Sequence, residues 1–166
     1  MEKKTRWKVP LVREIGWLSI IPQLLFMGLL IFLYYPLGIK ECLLFGGLTY
    51  LVISYTIKGI FTINHRRGIK NCHEQNYIEA IQFFQKSCDF FEKHKWVDKY
   101  RYITLLSSSK YCYREMALGN IAFCYGQIGE AEKAEYYYNT LLQEFPNNNL
   151  AITALNFINT IKSKDE

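Results

Sequence analysis

Residues 118–148 read LGNIAFCYGQIGEAEKAEYYYNTLLQEFPNN, and this stretch carries the clearest structural pattern in the chain. The spacing of its apolar residues predicts two amphipathic helices, Tyr111 to Gly126 and Glu130 to Phe145. Gly129 lets the chain reverse tightly between them. Pro146 ends the second helix, because a proline nitrogen has no hydrogen to donate to the preceding turn. The stretch therefore predicts a helix–turn–helix unit.

The same stretch resembles one unit of the tetratricopeptide repeat (TPR) family, in which each unit is a pair of helices. The family pattern places apolar, small, tyrosine, alanine, aromatic and proline residues at fixed intervals. The matching residues here are Leu118, Ile121, Ala122, Tyr125, Ala134, Tyr138 and Pro146. Units of this family usually bind other proteins, so the resemblance implies a protein-docking module.

A partial match to the same pattern lies nearer the N-terminus. Helices are predicted from Asn64 to Glu74 and from Tyr77 to Phe91, the second by apolar residues at intervals of three and four. Gly68 takes the small position of the first helix, and Ala80 and Phe84 take the matching positions of the second. The resemblance therefore extends to a second helix pair.

The partial unit departs from the family pattern at Asn71, where a tyrosine is expected, and at Gln75-Asn76, which replace the glycine turn. Its distance from the good unit is also irregular. Ala80 and Ala134 occupy the same repeat position but are 54 residues apart, whereas the family period is about 34. About twenty residues, at positions 93–110, are therefore an insert between two units.

We expect the insert to form a short helix or irregular segment, Val97 to Leu106, that covers an edge of the repeat stack. Ser107–Ser109 are expected to break the chain there and cap the following helix. After Pro146, Leu150 to Ile161 have apolar residues on one side, as in the amphipathic helix that closes such arrays. The prediction is an all-α, TPR-like helical domain at 64–162 with a C-terminal capping helix, followed by a tail at 163–166.

Two long apolar runs precede this domain. Gly16 to Tyr35 contains no charged residue, and as a helix it can cross a hydrocarbon core of about 30 Å. Cys42 to Ile63 is interrupted only by Lys58, whose ammonium group can extend to the lipid headgroups. Because only Pro36 to Glu41 connects the runs, they predict a two-helix transmembrane hairpin at 16–63, with helices at about 16–35 and 42–63.

Glycines suggest how the hairpin packs, and two other interpretations compete with it. Gly46 and Gly47 leave a face of the second helix without side chains, and Gly28 is the expected counterpart on the first. A cleaved signal peptide is disfavoured, because the first run is too long and no cleavage motif of small residues follows it. Core helices of a soluble protein are disfavoured, because helices apolar on all sides need more partners than this chain supplies.

The basic residues of the chain are concentrated near the apolar runs. The formal net charge is +5, and the part up to Lys70 carries ten Lys/Arg against three Glu. Positions 1–15 form a basic juxtamembrane segment that is expected to meet lipid headgroups. Because the connecting loop carries Lys40 alone, the positive-inside rule predicts both termini in the cytoplasm. The pattern favours membrane lipid over nucleic acid as the partner of these charges, since no helical recognition stripe is present.

Residues capable of chemistry form no recognisable catalytic or metal-binding pattern. The five cysteines include no C-x-x-C pair, and their odd number favours reduced thiols over a disulfide framework. His65, Cys72, His73, Cys88 and His94 lack zinc-finger spacing. A Gly-rich phosphate loop, H-E-x-x-H and G-x-S-x-G are all missing from the sequence. We therefore expect no enzymatic activity, no metal and no cofactor.

The expected function is that of a non-catalytic, membrane-anchored adaptor that binds a protein at the cytoplasmic membrane surface. The resemblance places six groove-facing residues on the first helices of the two units: His65, Ile69, Met116, Asn120, Phe123 and Gln127. Met116 stands where a peptide clamp would need a basic residue, so capture of a C-terminal carboxylate is not expected. Two alternatives remain open: Met116 and Phe123 pack against the insert or the membrane-proximal helix, or the chain is an accessory subunit of a membrane transporter or enzyme complex that binds mainly through its hairpin.

Overall fold

The computed structural model of the chain describes residues 16–165. The predicted basic segment 1–15 and Glu166 lie outside the described residues. Within the described range there are α-helices and short 3-10 turns but no strand, so the all-α prediction is confirmed there. The helices are α1 (Ile20–Tyr34), α2 (Cys42–Phe61), α3 (Ile63–His73), α4 (Tyr77–Lys93), α5 (Lys95–Lys99), α6 (Arg101–Thr104), α7 (Tyr113–Gln127), α8 (Ala131–Glu144) and α9 (Asn149–Asp165).

The chain divides into two compact units. In its described part, the hairpin unit contains residues 16–63 and Phe91–Cys112. The helical unit contains Asn64–Phe90 and the residues from Tyr113 onward. The predicted insert at 93–110 thus belongs to the hairpin unit. The predicted tail at 163–166 is not a separate segment in its described part, because α9 continues through Asp165.

The hairpin unit contains two helical stretches, Ile20–Leu37 and Cys42–Phe61, that are long and apolar enough to cross a membrane by length and composition. The first α-helix begins at Ile20 rather than at the predicted Gly16, after a 3-10 turn. Pro22 therefore lies in the first helical turn, where its missing N–H costs nothing. The connection between the helices reverses at Gly38, which has a φ of 71°.

The two helices of the hairpin approach each other closely at Gly46. A Cβ atom placed on Gly46 would lie 2.6 Å from Ile31 Cγ1 and 2.9 Å from Ile31 Cα. The Tyr34 and Thr49 hydroxyls add a hydrogen bond of 2.8 Å between the helices. The expected packing at Gly46 is confirmed, but Gly28 and Gly47 play no part in it, because a Cβ on either would meet no atom within 4 Å.

The outer surface of the hairpin is apolar. None of the residues in α1 is buried, and in α2 only Gly46 and Ser54 are buried. Large side chains such as Leu25, Phe32 and Leu43 are about 70% exposed. Exposure of this kind along both helices suits a bilayer, which offers an apolar environment without further protein contacts.

The insert is attached to the beginning of α1. The Gln23 amide donates a hydrogen bond to the Leu106 carbonyl (3.2 Å), and the Gly16 N–H donates one to the Ser108 carbonyl (2.9 Å). Arg101 holds the loop that follows α6, because its guanidinium donates to the Ser109 and Lys110 carbonyls. The serines therefore belong to this loop. Because α7 begins only at Tyr113, Ser107–Ser109 lie too far from it to cap it, and the predicted capping role is wrong.

The helical unit is built from two helix pairs and α9. In the first pair, α3 crosses α4 at Gly68, which lies so close to the Phe84 ring that a Cβ would be 2.7 Å from Phe84 Cδ1. The second pair is formed by α7 and α8. One core cluster joins α3, α4 and α7, and another joins the end of α4 to α7, α8 and α9. The buried members of the two clusters are Cys72, Ala80, Ile81, Phe84, Ile121 and Cys124 in the first and Cys88, Ala117, Leu118, Ala122, Tyr138, Leu141, Ala151 and Leu155 in the second.

The same turn closes the first helix of each pair. At the end of α3 the Gln75 N–H bonds to the Cys72 carbonyl and the Asn76 N–H to the Asn71 carbonyl. At the end of α7 the N–H groups of residues 129 and 130 bond to the carbonyls of residues 126 and 125 in the same pattern. Both turns need a left-handed residue, with a φ of 64° at Gln75 and 83° at Gly129.

We expect Gln75→Gly to stabilise the helical unit. A side chain at a left-handed φ costs about 1–2 kcal/mol, which glycine avoids, although part of the gain is offset by the greater freedom of glycine in the unfolded chain. The net increase should be a few tenths to about 1 kcal/mol in the free energy of unfolding. Thermal unfolding of the detergent-solubilised protein measures this. Gln75→Ala keeps the Cβ atom and is the control, and an equal gain from alanine would contradict the conformational explanation.

Candidate protein-binding site

The predicted site residues lie on α3 and α7, which are parallel neighbours in the helical unit. At one end the rings of His65 and Tyr113 meet edge to face, with centroids 5.3 Å apart. At the other end the Cys72 and Cys124 sulfurs are 3.8 Å apart. The residue numbers increase in the same direction along both helices. The first helices of the two pairs therefore lie side by side, as the predicted groove requires.

Two of the six predicted residues are inside the unit. His65 is 3% exposed and Asn120 is 8% exposed. Neither presents a side chain that a partner protein could reach in this conformation. Both belong to the face of α3 or α7 that packs within the unit, so their contribution is to the packing beneath the surface.

The other four predicted residues retain accessible surface. Ile69, Met116 and Phe123 are half-buried, and Gln127 is exposed. Ile69 and Phe123 also pack against the cluster that joins α3, α4 and α7, and the Phe123 ring meets Tyr77 with centroids 6.5 Å apart. Phe123 therefore packs within the helical unit, against Tyr77 of α4 and this cluster.

Ile69 also lines a shallow pocket on the outer side of α3. The other lining residues are Arg66, Lys70, His73 and Glu74, all from α3 or the residue that follows it. Lys70 and Glu74 form an exposed ion pair of 3.9 Å across one turn, and such pairs contribute little to stability. The pocket is an open helix face with mixed charge rather than an enclosed small-molecule cavity.

The environment of His65 is apolar and aromatic. The imidazole packs edge to face against Phe84 as well as Tyr113. Its Nδ1 atom has no hydrogen-bond partner among the residues that the structure describes. Burial lowers the pKa of His65 from 6.5 to about 4, because the surroundings cannot solvate an imidazolium. His65 is therefore a neutral core residue at pH 7.

We expect the stability of the helical unit to fall on mild acidification because of His65. Between pH 6.5 and pH 4 the unfolded chain binds a proton at this position and the folded chain does not, so the free energy of unfolding decreases as the pH falls through this window. The loss should reach about 2 kcal/mol at pH 5 and should be absent above pH 7. Thermal unfolding as a function of pH measures it.

His65→Phe should remove this pH dependence, because it keeps an aromatic side chain between Phe84 and Tyr113 but cannot be protonated. His73→Gln alters an exposed histidine on the same helix and is the matched control. If the variant at position 65 lost stability on acidification as steeply as the control, another group would be responsible.

The thiols of Cys72 and Cys124 are part of the core. Cys72, Cys88 and Cys124 are all buried. The hydrogen bond that Cys124 donates to Cys72 and the burial of the thiol both raise the pKa of Cys124. A buried, protonated thiol is a weak nucleophile. No group of three His, Cys, Asp or Glu side chains within residues 16–165 is placed to hold a metal ion.

A polar cluster at the beginning of α7 was not anticipated from the sequence. The Arg114 guanidinium donates to both carboxylate oxygens of Glu144, at 2.6 and 2.5 Å. It also reaches the Cys88 carbonyl at 3.4 Å. The Asn148 amide donates to Glu115 at 2.9 Å. Arg114 and Glu144 are thirty residues apart, so no local pattern in the sequence could have paired them.

Comparison of the chain with protein-family models, with curated proteins and with solved structures gave no match.

Proposed function

We propose that this chain is a non-catalytic adaptor in which a transmembrane hairpin holds a TPR-like unit at the cytoplasmic surface of a membrane, where the unit binds another protein. The observation that carries the proposal is the agreement between the two helix pairs. The left-handed turn residues Gln75 and Gly129 are separated by 54 residues, the same interval that separates Ala80 from Ala134.

Other positions at this interval support a repeat. Gly68 and Ala122 are the small residues of α3 and α7, and both are buried. Phe84 and Tyr138 are the aromatic residues of α4 and α8, and they are 0% and 8% exposed. A repeat conserves the residue types on which the helix crossing and the turn depend. The parallel arrangement of α3 and α7 further supports stacking of two related units.

The binding surface of the proposed adaptor is the α3–α7 face, which we define as Ile69, Met116, Phe123 and Gln127. These are the predicted residues that keep accessible surface. Only Thr62 lies between the end of α2 and the beginning of α3. The connection therefore has no linker with which the unit could search far from its anchor, and this favours a partner that is itself at the membrane.

The cytoplasmic position of both termini is part of the proposal and is supported by the distribution of Lys/Arg around the hairpin. A cysteine introduced at Lys40 should react with a membrane-impermeant maleimide from outside intact cells, because this residue lies in the loop between the spans. A cysteine at the exposed Lys162 should react only after permeabilisation. Reaction of the cysteine at position 162 in intact cells would contradict the proposed orientation.

Site-specific photocrosslinking in native membranes tests the adaptor function. A benzoylphenylalanine should be placed at Gln127 and, separately, at Lys70, which is exposed beside Ile69. Both positions should crosslink the same membrane-associated protein. Tyr136 on α8 is 66% exposed and is the control position, from which that crosslink should be absent.

The same experiment distinguishes the accessory-subunit alternative. Photocrosslinkers at Leu25 and Phe32 sample the apolar outer surface of the hairpin. If a defined protein were captured from these positions while Gln127 and Lys70 gave none, the hairpin would be the binding element and the adaptor proposal would fail.

A purified partner should bind the Gln127→Arg variant at least about tenfold more weakly, a loss of about 1.4 kcal/mol.

A further inference from the structure

The insert presents an apolar stripe to the outside of the hairpin unit. Trp96, Tyr100 and Ile103 are 62%, 53% and 65% exposed. Their spacing of four and three residues places them on one side of a helix. The helical path continues through the junction of α5 and α6, because the Tyr100 N–H bonds to the Trp96 carbonyl (3.0 Å) and the Thr104 N–H bonds to the Tyr100 carbonyl (3.0 Å).

The opposite side of the insert is buried. Val97 is 4% exposed and Leu105 is 0% exposed. The Thr104 hydroxyl donates to the Val97 carbonyl at 2.7 Å and ties α6 to α5. The exposed stripe is therefore one face of an ordered segment whose other face is already buried. Three large apolar side chains on one such face are unfavourable in water.

The insert lies at the level of one end of the membrane-length helix α1. Gln23 is in the first turn of α1, and its amide holds the Leu106 carbonyl. Leu106 adopts a left-handed φ of 47°, a strained conformation for leucine that the surrounding contacts must enforce. Since a helix rises 1.5 Å per residue, Gln23 is about 5 Å from the beginning of α1. The insert is thus fixed within about one turn of that end of the apolar surface.

The composition of the insert suits the boundary between the hydrocarbon and the headgroups of a bilayer. Tryptophan and tyrosine favour the boundary between hydrocarbon and headgroups, and Trp17, 78% exposed, precedes α1 at the same end. Residues 91–112 contain five Lys/Arg and two Asp/Glu. Lys95 and Lys99 lie beside the apolar stripe and are exposed. Positive charge next to interfacial aromatic residues is complementary to anionic lipid.

We infer that Trp96, Tyr100 and Ile103 form an interfacial anchor that lies in the headgroup region of the cytoplasmic leaflet and favours anionic lipid. The inference rests on the proposed function in one respect, the insertion of the hairpin in a membrane. It adds a second membrane contact, made by the insert, which was predicted from the sequence to cover an edge of the repeat stack. The occupant of this surface is lipid, because the insert is held within about one turn of the beginning of the apolar helix α1, next to which Trp17 is also exposed.

Single-tryptophan proteins reconstituted in vesicles test the inference. One variant keeps Trp96 (Trp7→Phe, Trp17→Phe), and the other keeps Trp17 (Trp7→Phe, Trp96→Phe). The vesicles are phosphatidylcholine with or without phosphatidylglycerol at about one part in four. Lipids brominated near the glycerol should quench Trp96 more strongly than lipids brominated near the chain ends. Acrylamide should quench it several-fold less than it quenches free tryptophan, and phosphatidylglycerol should increase the lipid contact.

Ile103→Glu and Ile103→Leu are the matched pair that tests the stripe. The exposed position should tolerate both side chains, so the fold is kept. The glutamate should reduce lipid quenching of Trp96 at least about twofold without changing that of Trp17, because its charge opposes burial in the interface. The leucine should leave both unchanged.

The outcomes separate this inference from the proposed function. If brominated lipid quenched Trp17 while Trp96 stayed open to acrylamide, the hairpin would be in the membrane and the interfacial anchor would be overturned. If Trp96 were shielded from acrylamide but not quenched by lipid, protein would cover it. Shielding that faded at higher lipid-to-protein ratio would identify a second copy, which also overturns the inference. Absence of lipid quenching at both tryptophans would contradict the insertion of the hairpin in a membrane.

Discussion

Gly46→Ala is expected to destabilise the hairpin by about 2–3 kcal/mol, the upper part of the range for overpacking. The added Cβ would lie 2.6 Å from Ile31 Cγ1, 2.9 Å from Ile31 Cα and 3.0 Å from Ile31 N. A side-chain tip could rotate away, but two of these atoms belong to the backbone of α1. The helices must therefore separate, and the contacts around them, including the Tyr34–Thr49 hydrogen bond, are weakened.

The measurement is unfolding in mixed micelles with increasing SDS, followed by near-ultraviolet circular dichroism. This signal reports fixed aromatic packing, such as that of Phe26 with Tyr50, whose ring centroids are 6.2 Å apart. The matched control is Gly47→Ala, one residue away on the same helix, where a Cβ meets no atom within 4 Å. The control should unfold at the wild-type SDS fraction. Equal midpoints for the two variants would show that α2 does not approach α1 at Gly46.

Gly68→Ala is expected to destabilise the helical unit by about 1–3 kcal/mol, even though alanine is the better helix former by up to about 1 kcal/mol. The new Cβ would be 2.7 Å from both Cδ1 and Cε1 of Phe84. Phe84 is 0% exposed, so its ring cannot move without disturbing the core. Overpacking at the α3–α4 crossing therefore outweighs the gain in helix propensity.

Gly119→Ala is the matched control for this second prediction. It also places alanine within a helix of the helical unit, but its Cβ would be at an ordinary 3.5 Å from Leu141 Cδ2. This variant should be neutral or more stable by up to about 1 kcal/mol. Thermal and denaturant unfolding of the whole protein measure both changes.

A double-mutant cycle with Phe84→Leu separates the clash from other effects. The smaller, flexible leucine leaves space for a Cβ at position 68, so Gly68→Ala should cost less in the Phe84→Leu background than alone. The coupling should be about 1 kcal/mol or more, as for other residues in direct contact. Additive effects of the two substitutions would argue against the close contact between α3 and α4.

Much of the fold could be predicted because its signals are local. The period of apolar residues placed α4, α7 and α8 within a few residues of their observed bounds. Gly129 indicated the turn after α7, since a left-handed turn residue is commonly glycine. The turn at Gln75 was located only by comparison with the repeat pattern, because glutamine carries no comparable preference for that conformation.

The candidate site was less predictable. The resemblance predicted that His65 and Asn120 face the groove from the first helices of the two pairs, but both side chains are buried. A small rotation of a helix about its axis exchanges buried and accessible positions, and that rotation is set by packing against other helices. For the same reason Gly46 meets α1 and Gly47 does not, while Gly28, on α1, makes no close approach to α2. The remaining accessible residues, Ile69, Met116, Phe123 and Gln127, define the surface that the binding experiments should examine.

Local patterns account for the all-α character, the two membrane-length helices and the alternation of helix and turn, because the length of an apolar run, its period and turn chemistry act over neighbouring residues. Packing between distant segments accounts for three other features: residues 91–112 pack with the hairpin, His65 is a neutral core residue and Arg114 pairs with Glu144. These features depend on side chains that are distant in sequence and meet only after the helices have packed, so their physical origin is the shape and burial of the assembled units.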